Sequence, residues 1–337
     1  MSPTHGRLGI VTKTVYLDQM KWIDLARAET GHPQGAQHVE TLDAFKKAAD
    51  EGRARFPLSA AHYLETGKSQ NRRRRVELTN TMMRLAGMDR VAPPHIIVPW
   101  EIRKALIEVF ELDVPLPELQ MFGETAVHAL ALPSLRYTAP PAFEGIVLSE
   151  AQRGEMEQVL APKFEAMILG GNLPDGYPED MRIVFREFTN LDDRFVGEQN
   201  RVAGWVEKLG RAKLTNIMAA TAMGDIIAPM IEATQELGVA MEDVVDAQNV
   251  FKLIEHMPSR WVEMRLRHFR QANPEKRWEG NDLNDITALA IAVPYCDVVV
   301  TERSWSSMLN NAKVPLRYNT LVSPNLKDVV DLLENPT

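Results

Sequence analysis

The sequence predicts an α/β fold in which one parallel sheet is assembled from the two ends of the chain, with a mainly α-helical insertion between them. Strand-then-helix units occur at both ends: "TVYLD" before "QMKWIDLARAE" near the start, and "DVVVT" between two helical stretches near the end. Over residues 180–273 helix formers dominate and strand signals are few. This divides the chain into a domain made of residues 1–90 plus 279–337 and an insertion at 91–278. Open parallel sheets bind ligands beyond the carboxyl ends of their strands, so function is expected there.

In order, "TVYLD" is β-branched and aromatic and reads as a short buried strand ending at Asp18. "QMKWIDLARAE" spaces Trp22, Leu25 and Ala26 for one helical face. Gly31, His32 and Pro33 break that helix, and "AQHVETLDAFKKAADEG" supplies a second. "ARFPLS" is the next strand. From Ser59 one helical pattern runs through "SAAHYLETGKSQNRRRRVELTNTMMRLAG", with Ser59 as cap, Gly87 as stop and Gly67 as an interior weak point. Prolines recur over residues 91–177, which predicts linkers and short helices rather than strands. Near the end come a helix over 282–292, the strand "DVVVT", a helix from Ser304, the strand "YNTLVS" and a last helix, "NLKDVVDLLEN".

The chain is long enough to bury a core without staples. Cys296 is the only cysteine, which leaves no disulfide framework and no Cys-based zinc site, a pattern that suits a cytoplasmic protein. No stretch approaches the ~20 apolar residues of a membrane span, and no apolar leader is evident, so no membrane association is expected. A net charge of −8 argues against bulk attraction to nucleic acid, so the location of positive charge matters more than its sum. It concentrates in "NRRRRVE" and over residues 259–277, which hold Arg260, Arg265, Arg267, Arg270, Lys276 and Arg277.

Acids gather where the cleft is expected. Asp18 ends the first strand, Glu65 lies in the helix after the second, and Asp282 and Asp285 open a later helix on neighbouring parts of one face. Glu302 directly follows "VVVT". Carboxylates this close shift toward protonation unless a cation neutralises them, and a hard oxygen-seeking ion does so. Each acid also has a plain structural reading: Asp282 and Asp285 as a cap and a first-turn acid, Asp18 as a turn residue, Glu65 as a solvated helix position.

"VYLDQMKWIDLA", "PLSAAHYLETGK" and "NDLNDITALAIAVPYCDVVVTERSW" together resemble a PIN-like (PilT N-terminus-like) nuclease domain. The resemblance covers roughly residues 14–87 and 281–334. It implies a three-layer parallel-sheet domain with an Mg²⁺ or Mn²⁺ site formed by Asp18, Glu65, Asp282, Asp285 and Glu302, which would also be the catalytic residues. It departs from the family in having Glu rather than Asp at position 302, and in the long insertion. The implied activity is hydrolysis of phosphodiester bonds, most often in RNA, as an endoribonuclease. Thr301 and Ser304 would orient water or phosphate, and Arg72, Arg74 and Arg75 would bind the substrate backbone. The insertion is a candidate surface for a second copy or a protein partner.

Two rival readings remain. "GNDLNDITAL" also resembles the late acidic motif of haloacid-dehalogenase-like phosphatases, but the strand that should carry their nucleophile reads "LDQMKW", with Met20 and Trp22 at the other required places. The second rival is a catalytically inactive PIN-like scaffold. His62 reads as a packing or hydrogen-bonding residue, Trp261 and Trp278 as core, and Cys296 as a buried apolar residue.

Overall fold

The computed structural model describes residues 12–171, 179–273 and 277–334, with the backbone alone for 179–193. Strand β1 (Lys13–Leu17) leads through α1 (Gln19–Glu29), a 3-10 turn and α2 (Val39–Asp50) to β2 (Ala54–Arg55). Helices α3 (Ala60–Lys68) and α4 (Arg72–Ala86) follow, then β3 (Asp89–Val91), α5 (Pro94–Val109), β4 (Phe122–Glu124) and α6 (Thr125–Leu130). The hairpin of β5 (Ala142–Phe143) and β6 (Ile146–Val147) precedes α7 (Glu150–Leu169), α8 (Glu179–Leu209), α9 (Leu214–Gly224) and α10 (Ile227–Leu237). Helices α11 (Met241–Val244), α12 (Ala247–His256), α13 (Pro258–Gln271) and α14 (Asn281–Tyr295) lead to β7 (Val298–Val300). Helices α15 (Arg303–Asn311) and α16 (Val314–Tyr318), strand β8 (Leu321–Ser323) and α17 (Lys327–Glu334) complete the described chain.

The chain's two ends meet in a four-stranded parallel sheet of order β2-β1-β7-β8. Register sets Leu17 opposite Val300 and Val300 opposite Ser323, so three strands end level with one another. A strand's side chains alternate between faces, and here both faces are covered. Val15, Leu17, Val298 and Val300 pack with Trp22 and Leu25 of α1, Phe45 of α2 and Met82 of α4. Tyr16, Val299 and Val322 pack on the other side with Ile286 and Leu289 of α14, Leu266 of α13 and Trp305 of α15. The sheet is the middle of three layers. Each fully buried large apolar side chain contributes on the order of 1.5–3 kcal/mol.

The sheet extends past β2 by a parallel bridge. Leu58 pairs with Arg90 of β3, and β3 runs antiparallel to β4. A separate helical core joins Leu106 of α5, Met218 of α9, Met230 of α10 and Leu253 of α12. No single helix among the described residues is long and apolar enough to cross a membrane. The bent pair Arg211–Gly224 and Ile227–Leu237 is apolar enough, but much of its apolar surface belongs to that core.

Several expectations change. Core clusters include residues from both sides of positions 91 and 278. Ala126 and Leu130 of α6 and Ile168 of α7 join the sheet core, and α13 gives Met264 to the helical core while Val262 and Leu266 join the sheet layer. The expected single helix from Ser59 is two helices, broken at residues 69–71, where the Asn71 side chain caps α4 by accepting from the Arg74 N–H at 3.1 Å. Gly67 does not break α3. It gives the end of α7 room: a Cβ on Gly171, itself at φ +65°, would lie 2.9 Å from the Gly67 Cα. Residues 91–177, expected to be linkers and short helices, hold the long helices α5 and α7 with Pro99 and Pro162 inside them. Burial of Ile97, Ile102 and Leu106, and of Ile168 and Leu169, outweighs the backbone bond each proline removes.

Candidate active site

The candidate site lies at the level carboxyl ends of β1 and β7. Asp18 follows β1 directly, and its backbone N–H donates to Val300 O at 2.9 Å. Its side chain works in two directions. One oxygen caps α1, accepting from the Met20 N–H at 2.9 Å and the Lys21 N–H at 3.4 Å. The other accepts from the Thr301 hydroxyl at 2.7 Å and the Glu302 N–H at 3.0 Å. Asp18 thereby ties two strand ends from opposite ends of the chain. Burial pushes its carboxyl above the ordinary range, against the hydrogen bond from Thr301 and the charge of Lys21.

His62 fixes the neighbouring helix. Its Nδ1 accepts from the Ser59 N–H at 2.9 Å, so Nε2 carries the proton and donates to Leu17 O at 2.8 Å. Burial, with the charge of Arg90 adding to it, pushes the imidazole down to about 4, so it is neutral. A neutral histidine holds α3 against the last residue of β1, which sets Glu65 over the strand end.

Asp285, in the first turns of α14, accepts from the Trp305 indole N–H at 2.9 Å. Burial is the main cause that pushes its carboxyl up to about 7; the Trp305 bond opposes this, and the charges of Asp18, Glu302 and Asp282 add to it. Asp18, Glu65, Asp285 and Glu302 line one cleft of about 500 Å³. Arg27, Lys68, Arg74 and Arg75 line the same cleft. A smaller cavity of about 10 Å³ at its floor, close to the size of a single water, is lined by Asp18, Glu65, Asp285, Gln19 and Thr301.

Of the other expected site residues, Thr301 lines the small cavity and Asp282, Ser304 and Arg72 fall elsewhere. Asp282 is buried and accepts from Arg270 Nη2 at 2.5 Å and from the Glu279 N–H at 2.8 Å. It lines neither the cleft nor the cavity, and its charge is already met by a guanidinium. Thr301 is 1% exposed and spends its hydroxyl on Asp18. Ser304, on the first turn of α15, lines neither space. Arg72 is exposed outside the cleft, and the arginine run sits on α4 rather than on the helix that carries Glu65. Asp297, at the far end of β7, accepts from the Thr14 N–H at 2.8 Å and faces Lys13 at 3.4 Å.

Among the described residues of the basic stretch at 259–277, Arg277 is exposed and Arg265 half-buried, while the other arginines face inward. Arg260, Arg267 and Arg270 are buried. Arg260 and Arg267 meet Asp225 and Glu263, and Arg270 meets Asp282. Lys276 lies outside the described residues. Trp278 packs edge-on against Phe195, and Trp261 against Tyr318. The Cys296 thiol is buried and pushed up to about 12, the state of a packing residue.

Three contributors were not expected at the site. Trp305 reaches Asp285 only because α15 packs beside α14. Arg270 lies over the Trp305 ring at 5.6 Å, linking the ion pair at Asp282 to the indole that orients Asp285. Gln19 donates Nε2–H to Thr66 at 3.0 Å, while its Oε1 is buried with no hydrogen-bond partner among the described residues. The position of Gln19 directly after the strand-ending Asp18 was its one visible cue.

Among the described residues no three His, Cys, Asp or Glu side chains stand close enough to form a ligand set. The donors suit a hard divalent ion nonetheless: carboxylates and an orphaned amide oxygen around one small cavity fit an ion held by one or two carboxylates and several waters. They do not fit a five-carboxylate cage, because Asp282 is committed to Arg270. Comparison of the chain with protein-family models, curated proteins and solved structures returned no match.

Proposed function

We propose that the protein is a metal-dependent nuclease of PIN-like type that hydrolyses phosphodiester bonds in RNA. The observation that carries this is the composition of one cleft: Asp18, Glu65, Asp285 and Glu302 at strand ends, with Lys68, Arg74 and Arg75 on the same walls. A phosphodiester needs both, since cationic side chains hold its charge and an acid cluster needs a cation of its own.

One or two of Asp18, Glu65 and Asp285 would hold an Mg²⁺ or Mn²⁺ ion together with waters, with Glu302 at its edge, and the ion when bound would supply Lewis acidity and a water acidified toward neutral pH. Lys68, Arg74 and Arg75 hold phosphates of the strand. Thr301 and the backbone at Glu302 fix the orientation of Asp18, and Trp305 fixes Asp285. With Oδ2 committed to Trp305, Oδ1 of Asp285 is the oxygen left to face the ion. The phosphatase alternative has less support, because Trp22, at a place its motif requires, is fully buried in the sheet core.

The test is incubation with labelled RNA, single-stranded DNA and a phosphomonoester, with Mg²⁺ or Mn²⁺ and then with EDTA. RNA cleavage that needs the metal and disappears in Asp18→Asn is the expected result. Turnover of the monoester alone would reject the nuclease in favour of the phosphatase, and well-folded protein that neither cleaves nor binds Mn²⁺ would support the inactive scaffold.

A further inference from the structure

A second cavity, of about 460 Å³, lies next to the acidic one, and its walls are mostly apolar: Leu64, Val91, Pro93, Pro94 and Ile291 are among them. Its size falls in the range of small-molecule pockets, roughly 300–1,000 Å³. It shares a wall with the site. Tyr16, Ala61, Asn284 and Ala288 line both this pocket and the small cavity on the floor of the cleft. That cavity in turn shares Asp18, Gln19, Glu65 and Asp285 with the cleft. The sequence of spaces is therefore a charged cleft, an acidic floor and an apolar pocket.

Asn284 sits at the junction, one residue before Asp285. Its Nδ2 donor is buried and has no hydrogen-bond partner among the described residues. His95 lines the pocket too, its ring on the exposed first turn of α5. Apolar walls, a ring available for stacking and an unmet amide donor in the shared wall suit a nucleobase, whose faces are apolar and whose edge carries acceptors. An acyl chain would fill the walls and leave the Asn284 donor unmet.

Resting on the nuclease reading, we infer that this pocket receives the nucleobase next to the scissile phosphate, splayed out of the strand, with Asn284 Nδ2 donating to an acceptor on the base edge. The substrate class is then a single-stranded or locally unpaired polynucleotide, because a base held in a duplex cannot enter. Asn284 is a specificity-determining residue that touches substrate.

The probes are uridine, cytidine, guanosine and adenosine, which carry no phosphate. Their binding is followed by ligand-observed NMR in EDTA, so neither the metal nor the basic wall contributes. The expected result is saturable binding of at least one nucleoside, about tenfold weaker in Asn284→Ala and in Ala60→Phe, which plugs the pocket away from the acids. Thr287→Met is a second plug should Ala60→Phe unfold. No nucleoside binding by the wild-type protein, binding untouched by the plugs, or capture of a fatty acid in place of nucleosides would overturn the inference. RNA cleavage in Mn²⁺, measured in parallel, separates the two proposals. Cleavage without nucleoside binding rejects the pocket and leaves the nuclease, whereas nucleoside binding without cleavage rejects the nuclease and with it the pocket's place beside a scissile bond.

Discussion

Asp282 and Asp285 stand one turn apart on the same helix and have opposite surroundings. Asp282 faces the layer under α13, where three buried arginines meet Asp225, Glu263 and Asp282. There, burial alone would raise Glu263, but the charges of Arg260 and Arg267 win and hold its carboxyl below the usual range. Asp285 faces the cleft, where its hydrogen-bond partner is an uncharged indole and the charged neighbours that raise it are other acids. The role of an acid in this fold is thus set by whether a guanidinium reaches it. The first surroundings neutralise an acid with a guanidinium; the second leave it beside other acids.

The sharpest way to break the comparison is through activity. Asp285→Asn should lower metal-dependent RNA cleavage by ~10³-fold, several kcal/mol of lost transition-state stabilisation, measured as single-turnover rates; a rate within a few-fold of wild type would remove Asp285 from the chemistry. Asp282→Asn should act first on stability instead. It leaves Arg270 buried without its counter-charge, at a cost of about 3–5 kcal/mol in urea unfolding.

A third expectation concerns pH. The folded value of Asp285, about 7, lies above its unfolded value of ~3.9, so the folded state binds the extra proton between them. Its contribution to stability is present at low pH and is lost as pH rises through that window. His62 has the reverse sign: folded near 4 against ~6.5 unfolded, it loses stability on acidification. Comparison with Asp285→Asn isolates the carboxylate. In EDTA the variant should gain on the wild-type protein from pH ~4 to ~7, and Mn²⁺ should shrink that gain at higher pH. Parallel unfolding curves would mean that Asp285 is not desolvated.

The smallest effects belong to the basic wall. Arg74→Ala or Arg75→Ala should each lower the salt slope of RNA binding by about 1, whereas Arg72→Ala, outside the cleft, should leave it unchanged. Equal slopes for all three would reject the cleft as the phosphate track.

The sheet was legible because β1 and β7 are dense β-branched runs that end in acids, and those ends carry Asp18 and Glu302. The proline-rich third was not, because Pro99 and Pro162 signal breaks locally while the burial that overrides them comes from distant residues. The basic stretch misled for a related reason: nothing near Arg267 in sequence announces that Asp225, on another helix, will meet it at 2.6 Å. The join between Glu65 and the arginines was lost at residues 69–71, where a cap on Asn71 starts a new helix. Within the acid motif, the sequence showed Asp282 and Asp285 as equals, and only the packing of α13 and α15 separates them.

The hydrogen bond between Asp18 and Thr301 spans 283 positions of the chain. Read as timing, it completes the cleft only long after its first half has been made. At roughly 5–20 residues per second, about 15–60 s pass between synthesis of Asp18 and of Thr301. During that interval the capped start of α1 can form, but the strand end that completes the site does not yet exist. A ribosome-bound nascent chain therefore carries half a cleft, and the acids meet only once the closing strands leave the exit tunnel.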